Sequence, residues 1–238
     1  MPTEINCALL LAAGSGARMQ GCVEDKILAP IQGRPAFSYS LRVFAACPSI
    51  TTICIVFRDE AQKKLLQATL DQSIRQQVIW VQGGKERQES VLNGLLALPA
   101  DAQHTLIHDC ARPLLPKGTI QVLIDTARED GAACLAHPVA DTIKRIPAPG
   151  VIKQTPLEDL ERNRLWAMET PQAFRHPDIL EAYRKITSEG LQVTDDCAAA
   201  AHLGITTTLI PNLAPNPKIT TAADLKYIEW LQQTTANP

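Results

Sequence analysis

No apolar run in this chain approaches the roughly 20 residues needed to cross a bilayer. The opening Met1-Pro2-Thr3-Glu4-Ile5-Asn6 has no basic stretch followed by an apolar core. Neither a membrane span nor a signal peptide is therefore expected. Charge of one sign is not in excess: 23 Lys and Arg stand against 25 Asp and Glu, a net charge of −2. That balance gives no electrostatic reason to bind nucleic acid or a membrane surface. The seven cysteines are odd in number, scattered and free of any CxxC spacing. Most lie in apolar segments, which points to reduced, buried thiols and a cytoplasmic location, or a plastid stroma if a transit segment has been removed. No GxSxG elbow is present, so a serine hydrolase has no support. His104 and His108 share a strand face without acidic or cysteine partners at ligand spacing, and no Zn site is expected. Internal repeats and low-complexity tracts are also missing.

What remains is the ordinary composition of a globular chain, 238 residues at 45% hydrophobic and 20% charged, with a substantial core. Short apolar runs alternate with amphipathic stretches, the pattern of βαβ units and a mainly parallel sheet. Strands are expected at Cys7–Ala12, Thr52–Phe57, Val78–Val81, Thr105–His108, Ala133–Pro138 and Thr206–Ile210. Helices are expected at Ala36–Ala46, Glu60–Leu70, Arg87–Leu98, Thr119–Arg128, Pro177–Ser188, Asp195–His202 and Ala222–Leu231. Pro35 suits a helix start and Pro48 an exit. After Pro138 the rhythm breaks. Pro147, Pro149, Pro156 and Pro171 interrupt residues 140 to about 172, which read as an arm inserted into one domain spanning 1–238. Unstructured stretches of that length are uncommon without a role.

The most informative stretch is Leu9-Leu10-Leu11-Ala12-Ala13-Gly14-Ser15-Gly16-Ala17-Arg18-Met19, with Lys26 seven residues further on. An apolar run that ends at two glycines reads as a buried strand entering a tight loop whose backbone N–H groups can approach a phosphate. Arg18 and Lys26 add two cations, as a triphosphate requires. Met19 occupies the third glycine of a dinucleotide fingerprint, and Cys22-Val23 stand where a P-loop needs Lys and Ser or Thr. The loop is therefore neither of those.

Further constellations fall at strand ends, where ligands bind in such sheets. Gly83-Gly84 open a helix and offer backbone donors, with Ser90 near enough to touch a base or ribose. Asp109, three residues before Arg112-Pro113, is a carboxylate able to hold Mg²⁺ together with substrate phosphates. Arg112 either clamps a phosphate or pairs with Asp109. Thr194-Asp195-Asp196 looks like a helix N-cap with acids in the first turn, and Lys218 precedes the last helix within reach of a phosphate. Taken alone, Asp141-Thr142, Lys144-Arg145 and Arg162-Asn163-Arg164 read as solvated charges of the arm.

In order and spacing these motifs resemble the 2-C-methyl-D-erythritol 4-phosphate cytidylyltransferase family of the non-mevalonate isoprenoid pathway. The resemblance runs from Ala8 to about Leu225 and includes Thr170-Pro171-Gln172. It implies a Rossmann-like α/β fold, helices flanking a mainly parallel twisted sheet, and a homodimer joined by an inserted β-arm. It also implies a reaction of CTP with a small polyol phosphate, aided by Mg²⁺ or another divalent cation. Arg18, Lys26 and Lys218 would then be catalytic. CTP would lie against Ala12, Ala13, Gly14, Ser15, Gly16, Gly84 and Ser90. Asp109, as metal ligand and substrate contact, would grip the acceptor with Arg112, Thr170 and Thr194, and the partner subunit would lend Thr142 and Arg162. Three departures stand out. Lys85 occupies a position often held by Asp, Cys110 replaces the usual alanine, and Asp25 and Ile27 flank Lys26 in place of Pro and Gln. A ribitol 5-phosphate cytidylyltransferase and a non-catalytic nucleotide-binding protein of the same fold are the alternatives.

Overall fold

The computed structural model describes residues 4–14, 25–70, 74, 78–116 and 118–236. Its first half is built of Asn6–Leu11 (β1), Pro30–Ile31 (β2), Arg34–Pro35 (β3), Ala36–Ala45 (α1), Thr52–Phe57 (β4), Glu60–Ala68 (α2), Val78–Gln82 (β5), Arg87–Ala97 (α3) and His104–Asp109 (β6). Thr119–Asp130 (α4), Ala132–Pro138 (β7), Lys144–Arg145 (β8), Glu158–Asp159 (β9), Trp166–Arg175 (β10), His176–Ser188 (α5), Asp196–Ala201 (α6), Thr208–Pro211 (β11) and Ala222–Ala236 (α7) follow.

Seven strands form the main sheet in the order β11–β7–β10–β6–β1–β4–β5. All neighbours run parallel except β10, which is antiparallel to both β6 and β7. This is the Rossmann-like arrangement expected. β1 lies between β4 and β6 and is buried on both faces, which explains its unbroken apolar run. Its alternating side chains separate two cores. Ala8 and Leu10 meet Phe37, Leu41 and Phe44 of α1 and Leu123 of α4. Cys7 and Leu9 meet Val91 and Leu95 of α3 and Ile179 and Tyr183 of α5. Gly94 brings α3 down onto the sheet, since a Cβ there would lie 2.3 Å from Leu9 Cδ1 and 3.0 Å from Val56 Cγ2. Helix starts follow local chemistry. Asp59 accepts from Gln62 N at 2.8 Å to cap α2, and Asp195 accepts from Ala198 N at 2.8 Å to cap α6.

The main correction concerns β10. Sequence periodicity assigns residues 140 to about 172 to the arm, yet Trp166–Arg175 is a ten-residue strand deep in the sheet. Pro171 and the polar Glu169, Thr170 and Gln172 hide it, because such residues argue against an interior strand. The sheet accommodates Pro171 by a register shift between Met168 and Gln172, where strict pairing with β7 lapses. The arm proper is therefore the stretch between β7 and β10, closed at its base by Val139 N donating to Leu165 O at 3.1 Å. Its small hairpin, β8 with β9, is bound by a Lys144–Asp159 ion pair and by Arg145 with Glu158 at 2.9 Å.

Candidate active site

The carboxyl ends of β1, β4, β5 and β6 open onto a cleft of about 560 Å³. Ala12 N donates to Val56 O (2.8 Å), Gly83 N to Phe57 O (2.8 Å) and Cys110 N to Leu11 O (3.1 Å), so the strand ladder continues into the cleft floor. Gly83 has to be glycine. A Cβ there would stand 2.8 Å from Ala13 Cβ and 2.7 Å from Ser90 Oγ. The two first-turn side chains of α3 reach back to this turn: Gly84 N donates to Ser90 Oγ (3.1 Å) and Lys85 N to Glu89 Oε2 (2.8 Å). A ligand using those amides would displace these side chains.

Among the lining residues five cations, Lys26, Arg58, Lys85, Arg87 and Lys218, face two acids, Glu86 and Asp109. That excess suits a polyanion. Asp109 is the hub. Lys218 Nζ donates to its Oδ2, and Arg87 Nε approaches Oδ1 at 3.4 Å. Burial raises the proton affinity of Asp109, but the charges of Arg87 and Lys218 outweigh it and hold the carboxyl well below the usual range. Asp109 is thus an anion at neutral pH. Arg87 in turn grips Asp196 with both terminal nitrogens at 2.8 Å, and Tyr183 Oη donates to the same carboxylate at 2.5 Å. Burial disfavours the charge of Arg87, yet Asp196 and Asp109 together keep it firmly protonated.

Lys26 Nζ donates to Ile219 O at 3.1 Å, which sets it beside the segment that carries Lys218. The preceding Asp25 is a buried anchor. Its Oδ2 accepts from Gln62 Nε2 (2.7 Å) and Arg58 Nη1 (3.2 Å), and its Oδ1 from Ile27 N (3.2 Å). Gln62 also donates to Ala12 O at 3.0 Å, tying the end of β1 to the Lys26 segment.

The structure brings Ala12, Ala13, Gly14, Lys26, Gly84, Ser90, Asp109 and Lys218 to one cleft. Ser15, Gly16 and Arg18 lie outside the described residues. Thr170 is buried behind the cleft, its Oγ1 accepting from Asp109 N at 3.1 Å. Arg112 does not bridge to Asp109. It donates through Nη1 to Asn216 O (2.7 Å) and more weakly through Nη2 to Met168 O (3.4 Å), while its Nε is buried without a partner. Thr142 and Arg162 sit exposed in the arm and Thr194 is exposed before α6, so none of the three lines the cleft of its own chain. Sequence reasoning overlooked Asp196 as more than a first-turn acid, and missed Gln62 and Arg58 altogether. An arginine next to the glycine turn and a buried acid after a capping Asp were the available signals, but nothing in their spacing pairs residues 109 positions apart.

Such a cleft, cationic and crossed by strand ends, defines an α/β protein whose site suits a phosphorylated ligand. Residues 6–233 match the family described as IspD: 2-C-methyl-D-erythritol 4-phosphate cytidylyltransferase, and the chain belongs to that family. A protein of that name from Synechococcus elongatus is 38% identical over 224 residues, 94% of each chain. One from Desulforamulus reducens is 36% identical over 219 residues, 92% of each. Among solved structures, the 4-diphosphocytidyl-2C-methyl-D-erythritolsynthase of Anaerococcus prevotii shares the fold with a TM-score of 0.82 over 97% of each chain, at 23% identity.

Proposed function

We propose that this chain is a cytidylyltransferase that moves CMP from CTP to 2-C-methyl-D-erythritol 4-phosphate and releases pyrophosphate. What carries the reading is that Lys26, Lys218 and the Asp109 carboxylate line one cleft at the strand ends, with Lys218 on Asp109 itself, in a chain of the IspD family. A phosphate oxygen of the acceptor attacks the α-phosphorus of CTP in line. A new P–O bond forms as the bond to the β-phosphate bridging oxygen breaks, and pyrophosphate leaves with that electron pair. The attacking phosphate is already ionised near neutral pH, so no general base is needed. The protein's task is to offset repulsion between anions and stabilise charge growing at the α-phosphate. Lys26, with Arg18, neutralises the triphosphate, and Lys218 donates to the α-phosphate.

Asp109 fits a divalent cation. It is a hard oxygen donor held anionic, and Mg²⁺ is commonly bound by one or two carboxylates plus substrate phosphates. Among the described residues no group of three or more His, Cys, Asp or Glu could hold a metal unaided, so phosphate oxygens would complete the shell. Bound there, the cation would neutralise triphosphate charge. Ala12, Ala13 and the Gly83–Ser90 turn hold the cytosine and ribose. Two chains pair through the arm, whose exposed Ile152 (80%) and Leu157 (59%) would gain cover in a dimer, and Thr142 and Arg162 then reach the partner's acceptor pocket. We assign the enzyme to the cytoplasm, a reading supported by the free and mostly buried cysteines among the described residues.

The test is pyrophosphate release from CTP and Mg²⁺ with 2-C-methyl-D-erythritol 4-phosphate or ribitol 5-phosphate offered separately. Release with the former alone is expected. Release only with ribitol 5-phosphate would reassign the acceptor, and none with either would remove the catalytic reading.

A further inference from the structure

Lys218 stands on a stretch that neither helix nor strand can position. Between β11 and α7 the chain runs irregularly through Asn212, Leu213, Ala214, Pro215, Asn216 and Pro217 before reaching it. A long, rotamer-rich lysine on such a segment needs some other support to meet Asp109 reproducibly. That support comes from the neighbouring strand. Glu169 of β10 is 2% exposed, and its Oε2 accepts from Asn212 Nδ2 and from Asn216 Nδ2, each at 2.8 Å. Its Oε1 meets His137 Nδ1 at 2.6 Å. Asn216 Nδ2 also donates to Thr170 O (3.2 Å), and Asn216 O accepts from Arg112 (2.7 Å). One buried carboxylate therefore ties the segment at two points, the second only two residues before Lys218.

A buried carboxylate is expensive unless its oxygens are fully hydrogen-bonded. Glu169 does not line the cleft, so contact with a ligand does not account for it. Its partners do. It follows directly before Thr170, whose hydroxyl accepts from Asp109 N. The same short piece of β10 thus fixes both ends of the Lys218–Asp109 pair.

We propose that Glu169 is the positioning residue for Lys218: its carboxylate gathers Asn212 and Asn216 and so sets the lysine against Asp109. The inference rests on the cytidylyltransferase reading above. Removing the carboxylate leaves the buried Asn212 amide without its acceptor and Asn216 held only through Thr170 O and Arg112, which loosens the segment on the side that leads into Lys218. A displacement of about 1 Å at a reacting group costs on the order of 10²-fold in rate. Glu169→Gln keeps one oxygen able to accept from both asparagines.

The experiment measures kcat and the KM for CTP in wild type, E169A, E169Q, K218A and the E169A/K218A double variant. Glu169→Ala is expected to lower kcat by about 10- to 100-fold with KM changed less than about threefold, and Glu169→Gln to stay within about threefold of wild type. In the K218A background the E169A change should slow turnover by no more than about twofold, because the residue it positions is gone. Should E169A fail to fold, N212A, which cuts one tie, replaces it in the same cycle and is expected to show a smaller but equally non-additive loss. Equal losses in both backgrounds, or wild-type turnover in E169A, would overturn the inference. An inactive wild type would instead remove the function on which it rests.

Discussion

Asp196→Ala should unfold this protein more readily than any single change to the cleft lysines. Asp196 is fully buried and accepts three hydrogen bonds, two from Arg87 and one from Tyr183. Truncation leaves the Tyr183 hydroxyl without an acceptor in a site with no exposure, at about 1–3 kcal/mol. Breaking a buried ion pair costs about 3–5 kcal/mol. The Arg87 side chain is 33% exposed and can rehydrate in part, which pulls the total toward about 3 kcal/mol. For a chain of this length each kcal/mol lowers Tm by about 2–4 °C, so a fall of roughly 6–12 °C is expected in a thermal melt. Tyr183→Phe alone removes one hydrogen bond and should cost about 1 kcal/mol. In the D196A background the same change removes the orphaned hydroxyl and should restore stability. A Tm for D196A within 2 °C of wild type, or a Y183F penalty equal in both backgrounds, would refute the account.

Lys26→Ala and Lys218→Ala are expected to lower kcat by about 10²- to 10³-fold while Tm changes little, since both lysines act at the cleft and Arg87 still faces Asp109 in the K218A variant; pyrophosphate release and a melt check both halves. Gly83→Ala should raise the KM for CTP about tenfold by pressing on Ala13, within the usual range for an added methyl group in tight packing, with circular dichroism unchanged. Burial pulls the pKa of His108 down to about 4. The unfolded chain therefore binds a proton that the native state refuses between about pH 6.5 and 4, and stability is full above this window and lost as pH falls through it. The loss from pH 7 to pH 5 should be about 2 kcal/mol in urea titrations, and His108→Gln should remove that share of the slope.

Elements that depend on neighbouring residues were legible in the sequence. β1 and β4 declare themselves as apolar runs, and Asp59 and Asp195 cap the helices that follow them. Gly14, Asp109 and Lys218 could be picked out because each falls at a strand end or shortly before a helix, and Lys26 because it follows the glycine loop at short distance. β10 could not. Its interior reads as a polar turn around Pro171, and it becomes a strand only because β6 and β7 pair with its two flanks. The buried polar residues are satisfied from afar, with Gln172 Oε1 accepting from Asp196 N and Cys197 N. Likewise the Arg87–Asp196 clasp and the Glu169 cluster join residues remote in the chain, and no local spacing announces a contact that the tertiary fold creates.

The arm leaves the sheet from β7 and returns through β10, and these two strands are antiparallel neighbours. Topologically it is a hairpin loop grown outward. Its entry and exit already lie side by side, joined by the Val139–Leu165 hydrogen bond. Lengthening a loop whose ends are so held adds little entropy, about 0.6 kcal/mol per doubling. Residues between those two strands can therefore be lost, gained or exchanged while the register of the sheet stays as it is. The fold keeps its phosphate chemistry on a fixed frame and carries the arm as a graft, so the arm can change in length without disturbing the cleft.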